Sequence, residues 1–429
     1  MVSSENNIII GLQWGHEGKN RLLDFFANRS EVIVRFHGSA TGGHQISAGG
    51  ERFTLDYLPC GIHHAGKLCV ITHGVTLDLE KISDELAALK SAGVFRSRLL
   101  ISSRCPLILD YHKRLDVLAG RLLGHDLNRT MDQRGYGHAV TDNVRRLGIR
   151  AGDLLYPERL RERLDLNLAI KNEYFQKIYN EKPLDADKLF TKIMKEGQRL
   201  VPYVGPVEDA ISKAVESNVG TLFEGCDGSL NDLNCGVYPY VMPGMTTAPA
   251  AFLSAGLRHN ASLRIIGAAK AYCTKSGPGP FITEDKSAVA AFIRTRGSEF
   301  GKIGEAPRRI GWLDLPALKY AAHINGADLL AVTKLDVLTG IDELKICTGY
   351  MIGGELRTSG DLSAEEAEKA EPVYVSLEGW REELPGCTDF NLLPQQAQSY
   401  IRFIEEYTGL RVIWTGLGTQ WGNALYRID

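Results

Sequence analysis

Ile8-Ile9-Ile10-Gly11-Leu12-Gln13-Trp14-Gly15-His16-Glu17-Gly18-Lys19-Asn20-Arg21 is the stretch on which the reading of this chain turns. Three β-branched residues in a row predict a buried strand. Three glycines then predict a tight loop, and Arg21-Leu22-Leu23-Asp24-Phe25-Phe26-Ala27 opens a helix. A strand, a Gly-rich loop and a helix start together make an anion site, because backbone N–H groups and the helix dipole converge there. Lys19 adds a point charge suited to a phosphate. The spacing G-x-x-x-x-G-K-[ST] is absent, so this is not the common nucleotide loop.

Outward from this stretch the same pattern repeats. Glu31–Phe36, Lys67–Thr72 and Leu99–Ser102 predict further strands, with amphipathic helices over 78–92 and 107–123 between them. Strands return at 219–225, 262–267 and 328–333, and a final helix and strand at 395–407 and 411–415. Lys345–Tyr350 is expected to open an antiparallel portion. Alternation of this kind predicts an α/β fold with a large, mostly parallel central sheet covered on both faces. Residues 125–146 are polar and predict a loop. Residues 156–217 are charged and predict a helical insertion. No repeat, low-complexity segment or linker interrupts the chain, so one large domain over 1–429 is the expectation.

Composition narrows the function classes. The chain has 429 residues, 44% hydrophobic and 24% charged, with a formal net charge of −3. That balance gives no case for a nucleic-acid or membrane partner, and no apolar run has the length of a spanning helix. The N-terminus does not read as a signal peptide. Eight scattered cysteines without a C-x-x-C pair predict free thiols in a reducing cytoplasm. His63-His64 lacks the spaced partners of a zinc site, so none is expected.

Three stretches carry chemistry. Beside the first loop stands Arg35-Phe36-His37-Gly38-Ser39-Ala40-Thr41-Gly42-Gly43-His44, where a strand ends in small residues and delivers a histidine. The third is Thr333-Lys334-Leu335-Asp336-Val337-Leu338-Thr339-Gly340. An Asp carboxylate after a buried strand can accept two hydrogen bonds from guanine, and adenine offers no such pair of donors.

The Gly-x-Gln-Trp-Gly-x-Glu-Gly-Lys loop resembles the phosphate loop of the adenylosuccinate synthetase family. Further stretches similar to that family run along nearly the whole chain. They include Leu58-Pro59-Cys60-Gly61-Ile62, Phe223-Glu224-Gly225, Lys270-Ala271-Tyr272, Gly279-Pro280-Phe281, Gly311-Trp312-Leu313-Asp314 and Thr415-Gly416-Leu417-Gly418. The resemblance implies the family's α/β fold and a reaction in two steps. The γ-phosphate of GTP passes to the 6-oxygen of IMP, and the amine of aspartate then displaces phosphate. It implies that Gly15, Glu17, Gly18, Lys19, Lys334, Asp336 and Gly416 bind GTP and that His44 is the general acid. It also implies Mg2+ held in part by the Gly43 carbonyl. A homodimer is implied too, in which Arg146 reaches across the interface, with Arg134 also at the acceptor.

The departures from the family pattern fall on particular positions. The family's catalytic Asp, which is both base and Mg2+ ligand, is His16. A neutral imidazole can take a proton near pH 7, but it suits hard Mg2+ poorly. At the acceptor phosphate, Asp132, Asp227, Thr41 and Met242 replace a Thr, a Gln, an Asn and a Thr. A carboxylate about 4 Å from a phosphate charge costs ~1–4 kcal/mol, so these positions predict an acceptor other than an ordinary 5′-monophosphate. In the amine-substrate loop, Ile303, Gly304 and Ala306 replace two hydroxyl residues and an Arg, leaving Arg308 alone. That predicts an amine other than aspartate. The expectation is a GTP-dependent carbon–nitrogen ligase with altered acceptor and amine. An ordinary adenylosuccinate synthetase and a GTP-binding protein without turnover remain the alternatives.

Overall fold

The structure is a computed structural model that describes residues 5–39, 43–122, 134–301, 307–384, 386–420 and 422–427. The expected site residues Thr41, Asp132, Ile303, Gly304 and Ala306 lie outside the described residues. The fold is mixed α/β, built on a large, mostly parallel sheet. The chain is organised in two compact units, residues 1–8, 23–226 and 243–263 in the first and residues 9–22, 227–242 and 264–429 in the second.

In the first unit, five strands lie in the order Thr221–Gly228, Val32–Arg35, Leu68–Ile71, Arg98–Ser102 and Val204–Gly205, each parallel to its neighbour. Their centres are apolar and solvent-free, as with Ile33, Val34, Val70, Ile71 and Ile101. The helix Leu79–Ser91 begins on Asp78, whose side chain accepts from the Lys81 N–H, a local cap supplied by the end of the short strand Leu77–Asp78.

Residues 157–216 are mostly helical, in Pro157–Glu173, Ala186–Gly197 and Glu208–Glu216. The loop expected over 125–146 is corrected where it is described, because Tyr136–Val144 is a helix. Tyr136, Ala139 and Asp142 are its buried face. Asp142 tolerates burial by pairing with His112 at 3.0 Å and Lys171 at 2.7 Å, a compensation that polar composition conceals.

In the second unit, Arg264–Lys270, Leu329–Thr333 and Arg411–Gly416 run parallel, and Ala424–Tyr426 adds an antiparallel edge. Glu343–Ile352 pairs antiparallel with Glu371–Glu378, as the pattern at 345–350 predicts. The two loops of greatest chemical interest leave the ends of the parallel strands, at Thr333 and after Gly11.

Candidate active site

The phosphate loop of the second unit is folded around its own acid. Gly15 and Gly18 have φ of +89° and +68°, which a residue with a Cβ resists. Those turns bring Glu17 back inside, fully buried. One carboxylate oxygen accepts from the Gln13 N–H at 3.0 Å and the Gly15 N–H at 2.8 Å, and the other receives the Lys19 ammonium. This corrects a simple expectation, because the Gly15 N–H and the Lys19 charge are already satisfied by Glu17. A phosphate gains them only if Glu17 yields.

The guanine motif closes on the same loop. Thr333 Oγ1 donates to the Glu17 carbonyl. A Cβ placed on Gly18 would lie 3.3 Å from Thr333 Oγ1, and one on Gly416 would lie 3.0 Å from the Trp414 ring, so both positions are kept small by their neighbours. Lys334 adopts a left-handed φ of +56° and starts the short 3-10 turn Leu335–Leu338. Asp336 sits half-buried on that turn. Burial raises its carboxyl pKa, while Arg21 and Arg296 pull the other way. The structure therefore brings Gly15, Glu17, Gly18, Lys19, Lys334, Asp336 and Gly416 onto neighbouring segments.

Lys334 does not stand alone above a base. Its ammonium donates to the Gly297 carbonyl and to Glu299, both at 2.7 Å. Glu299 is a hub, fully buried, that also accepts from Lys270 at 2.6 Å, Tyr272 at 2.7 Å and Arg308 at 2.8 Å. Burial pushes its carboxyl upward, but Lys270 and Lys334 outweigh that and hold it well below the usual range. Burial lowers Lys270 to about 7 against the pull of Glu299. Arg308, expected to meet the amine substrate, thus has one arm committed to the hub.

His16 faces this cationic ground. Its Nε2 lies 3.0 Å from Ser276 Oγ, and the ring is only partly open to solvent. Burial, then the charges of Arg308, Lys270 and Lys19, lower its pKa to about 3. The ring is neutral at pH 7, and these surroundings weaken it as a proton acceptor relative to a free imidazole. A nitrogen donor surrounded by the charges of Arg308, Lys270 and Lys19 does not fit Mg2+. Asp227 is buried, and its Cα would lie 3.3 Å from a Cβ on Gly15, on the wall of the phosphate loop. Met242 is half-buried, with its N–H on the Asn231 carbonyl.

The first unit holds the remaining residues. His44 starts a short hairpin strand, His44–Ala48. Arg35 Nη1 lies 3.2 Å from His44 Nδ1. An arginine can only donate, so Nδ1 accepts and the ring proton sits on Nε2. That Nε2 is buried and makes no hydrogen bond among the described residues. Glu224 stands 3.7 Å from Arg35 and accepts from the Cys60 N–H at 3.1 Å. Burial lowers His44 to about 4, with Glu224 opposing and Arg35 assisting. Gly43 is exposed, with the Asp56 carboxylate where a Cβ would stand. Arg134 is half-buried ahead of Gly135. Arg146 is exposed with φ of +66° and lines a cavity of about 550 Å³ with Arg104, Arg150 and Arg163.

A sequence model of the adenylosuccinate synthetase family matches residues 8–424. The chain belongs to the adenylosuccinate synthetase family. The adenylosuccinate synthetase of Carboxydothermus hydrogenoformans is 40% identical over 413 residues, covering 96% of both chains. That of Nitratidesulfovibrio vulgaris Hildenborough is 37% identical and covers 98% of this chain and 100% of its own. The solved structure of fully ligated adenylosuccinate synthetase from Plasmodium falciparum superimposes with a TM-score of 0.90 at 30% identity, covering 99% of this chain and 100% of that one. A cyanophage S-2L succinoaminodeoxyadenylate synthetase, solved with dGMP and dATP, shares the fold at a TM-score of 0.62 and 15% identity.

Within an adenylosuccinate synthetase fold, sequence reasoning missed Glu299, Lys270, Ser276 and Arg35. Lys270 lies in the family-like Lys270-Ala271-Tyr272, which was a usable signal. Glu299 and Ser276 had none, because their partners arrive from distant segments.

Proposed function

We propose that this chain, a GTP-dependent carbon–nitrogen ligase by family, activates the 6-oxo group of a purine-like acceptor that is not an ordinary 5′-monophosphate and replaces it with an amine other than aspartate. The acceptor reading is carried by Asp227, a buried acid whose backbone packs against Gly15 and which stands where the family pattern has an amide for the acceptor phosphate. An acceptor phosphate beside it would meet like charge, at a cost of ~1–4 kcal/mol. A nucleoside or a free base would not. The amine reading rests on the altered loop before Arg308, where the family pattern has a further Arg, and on Arg308 itself, whose Nη1 is held by Glu299 so that one guanidinium edge is left for a carboxylate.

The roles follow from the chain's own residues. Thr333, Lys334 and Asp336 place guanine beside the loop, and Lys19 with the loop N–H groups takes the phosphates once Glu17 moves. His44 offers a fixed Nε2–H to the phosphoryl group, with Arg35 setting the tautomer. His16 accepts the acceptor's proton as the arriving phosphates raise its affinity for one. Mg2+ would travel with the nucleotide phosphates and share their charge. The homodimer and the cytoplasmic setting implied by the resemblance belong to this reading as well.

A second reading, ordinary adenylosuccinate synthesis from IMP and aspartate, is favoured by the 40% identity to a relative of that name. Phosphate release from GTP separates the two. The acceptors would be IMP, inosine and hypoxanthine, and the amines aspartate, ammonia, hydroxylamine and glycine. Turnover only with IMP and aspartate would sink the altered-substrate reading, turnover with another pair would support it, and silence throughout would defeat both. Asp227→Gln sharpens the test. It should tighten IMP binding by about 10-fold, within the ~1–4 kcal/mol range above. Unchanged affinity for IMP would remove the charge argument.

A further inference from the structure

We propose a second ligand site in this protein, a surface site for a divalent transition ion such as Zn2+, formed by Asp24, His63 and His64 of the first unit. Asp24 stands on the helix Asn20–Ala27, and the two histidines close the 3-10 turn Cys60–His63. Sequence spacing hides the set, since adjacent histidines alone are not a zinc motif. The fold supplies the third member.

The geometry is that of a facial trio. His64 Nε2 lies 3.0 Å from Asp24 Oδ1 and His63 Nε2 lies 3.7 Å from the same oxygen. The two imidazole centroids are 4.0 Å apart, so both rings present the same nitrogen to one spot. All three ligand atoms fall within 4.8 Å of one another. Ligands at ~2.0–2.1 Å around a tetrahedral ion are about 3.3 Å apart, so only small side-chain adjustments are needed. The side chains are 10%, 11% and 21% exposed for Asp24, His63 and His64. The trio is therefore enclosed, yet an ion and its water can reach it.

Hydrogen bonding within the trio accounts for less than this arrangement. His64 and Asp24 form an ordinary bond. His63 does not, because 3.7 Å is too long. Its Nδ1 is buried and makes no hydrogen bond among the described residues. A proton on Nδ1 leaves the Nε2 lone pair for a metal. Two imidazoles and one carboxylate select Zn2+, Co2+ or Ni2+ over Mg2+.

Calorimetric titration of the chelator-treated full chain with Zn2+ tests this directly. One saturable site is expected. His63→Asn with His64→Asn should weaken it by at least about 100-fold, more than the 10–100-fold cost of losing an outer partner. Circular dichroism would establish that the variant is folded. The unaltered chain gives a second measure with Co2+. Visible d–d bands without a thiolate charge-transfer band are expected. A thiolate band would place the ion at the other described cluster, the buried His44, Cys60 and Glu224, and would overturn the proposal. Absence of saturable binding, or undiminished affinity in the folded double variant, would overturn it too.

Discussion

His16 and His44 are both neutral imidazoles, and they are made neutral in opposite company. His44 is enclosed with the carboxylate of Glu224, and Arg35 fixes which nitrogen carries the proton. His16 sits among Lys19, Lys270 and Arg308, with Glu299 as the opposing charge. Burial leads in both, yet the second influence is a carboxylate for one and a guanidinium for the other. His44 is set as a donor of known direction. His16 is an acceptor whose affinity depends on what anions join it. His44 thus has a fixed geometry, and His16 sits in a field that added anions would change.

The largest break in this comparison should come at His44. His44→Asn is expected to lower turnover by about 10²–10⁴-fold, the usual worth of a positioned proton donor, with GTP binding nearly unchanged. Equal losses in turnover and GTP affinity would mean that His44 only supports the fold. Next is Glu299→Gln, which leaves Lys270, Lys334 and Arg308 facing one another without a countercharge. Urea unfolding should show a loss of about 3–5 kcal/mol. A loss below about 1 kcal/mol would show that the hub relaxes instead.

Acid sharpens the same contrast. The unfolded His44 titrates near 6.5 and the folded one near 4. As pH falls below 6.5 the unfolded chain takes up a proton that the folded chain refuses, so stability drops until about pH 4 and then levels. His44 should account for about 2 kcal/mol of the loss between pH 7 and 5. His44→Asn should flatten that part of the profile, and an unaltered slope would contradict the assignment. The smallest effect belongs to Ser276→Ala, which removes the hydroxyl at His16. The acid limb of the turnover profile should move, with a cost of about 0.5–1.5 kcal/mol. A lower rate with no movement of the limb would assign Ser276 to structure alone.

Legibility in the sequence followed locality. Ile8-Ile9-Ile10 with its glycines and Thr333-Lys334-Leu335-Asp336 carry their geometry within a few residues, and both stand where the pattern places them. The helix Tyr136–Val144 was misread because its buried Asp142 is made tolerable by His112 and Lys171 from other helices. Glu299 was invisible for a similar reason. Nothing in Gly297-Ser298-Glu299-Phe300 announces a hub, since its partners come from 270, 272, 308 and 334. Glu17 was read as a ligand-binding residue, and only the fold turns it inward.

That inward turn makes Glu17 a competitor for any anion that seeks the same loop donors. The Glu17 carboxylate is tethered to the donors it occupies, so its effective concentration is at least on the order of mM. Simple anions at ordinary concentration would then gain little by displacing it. A polyphosphate anchored elsewhere by its base arrives with a comparable tethered advantage and can win the exchange. Selectivity against inorganic phosphate and chloride would therefore reside in an intramolecular contest, set before any ligand is recognised by shape.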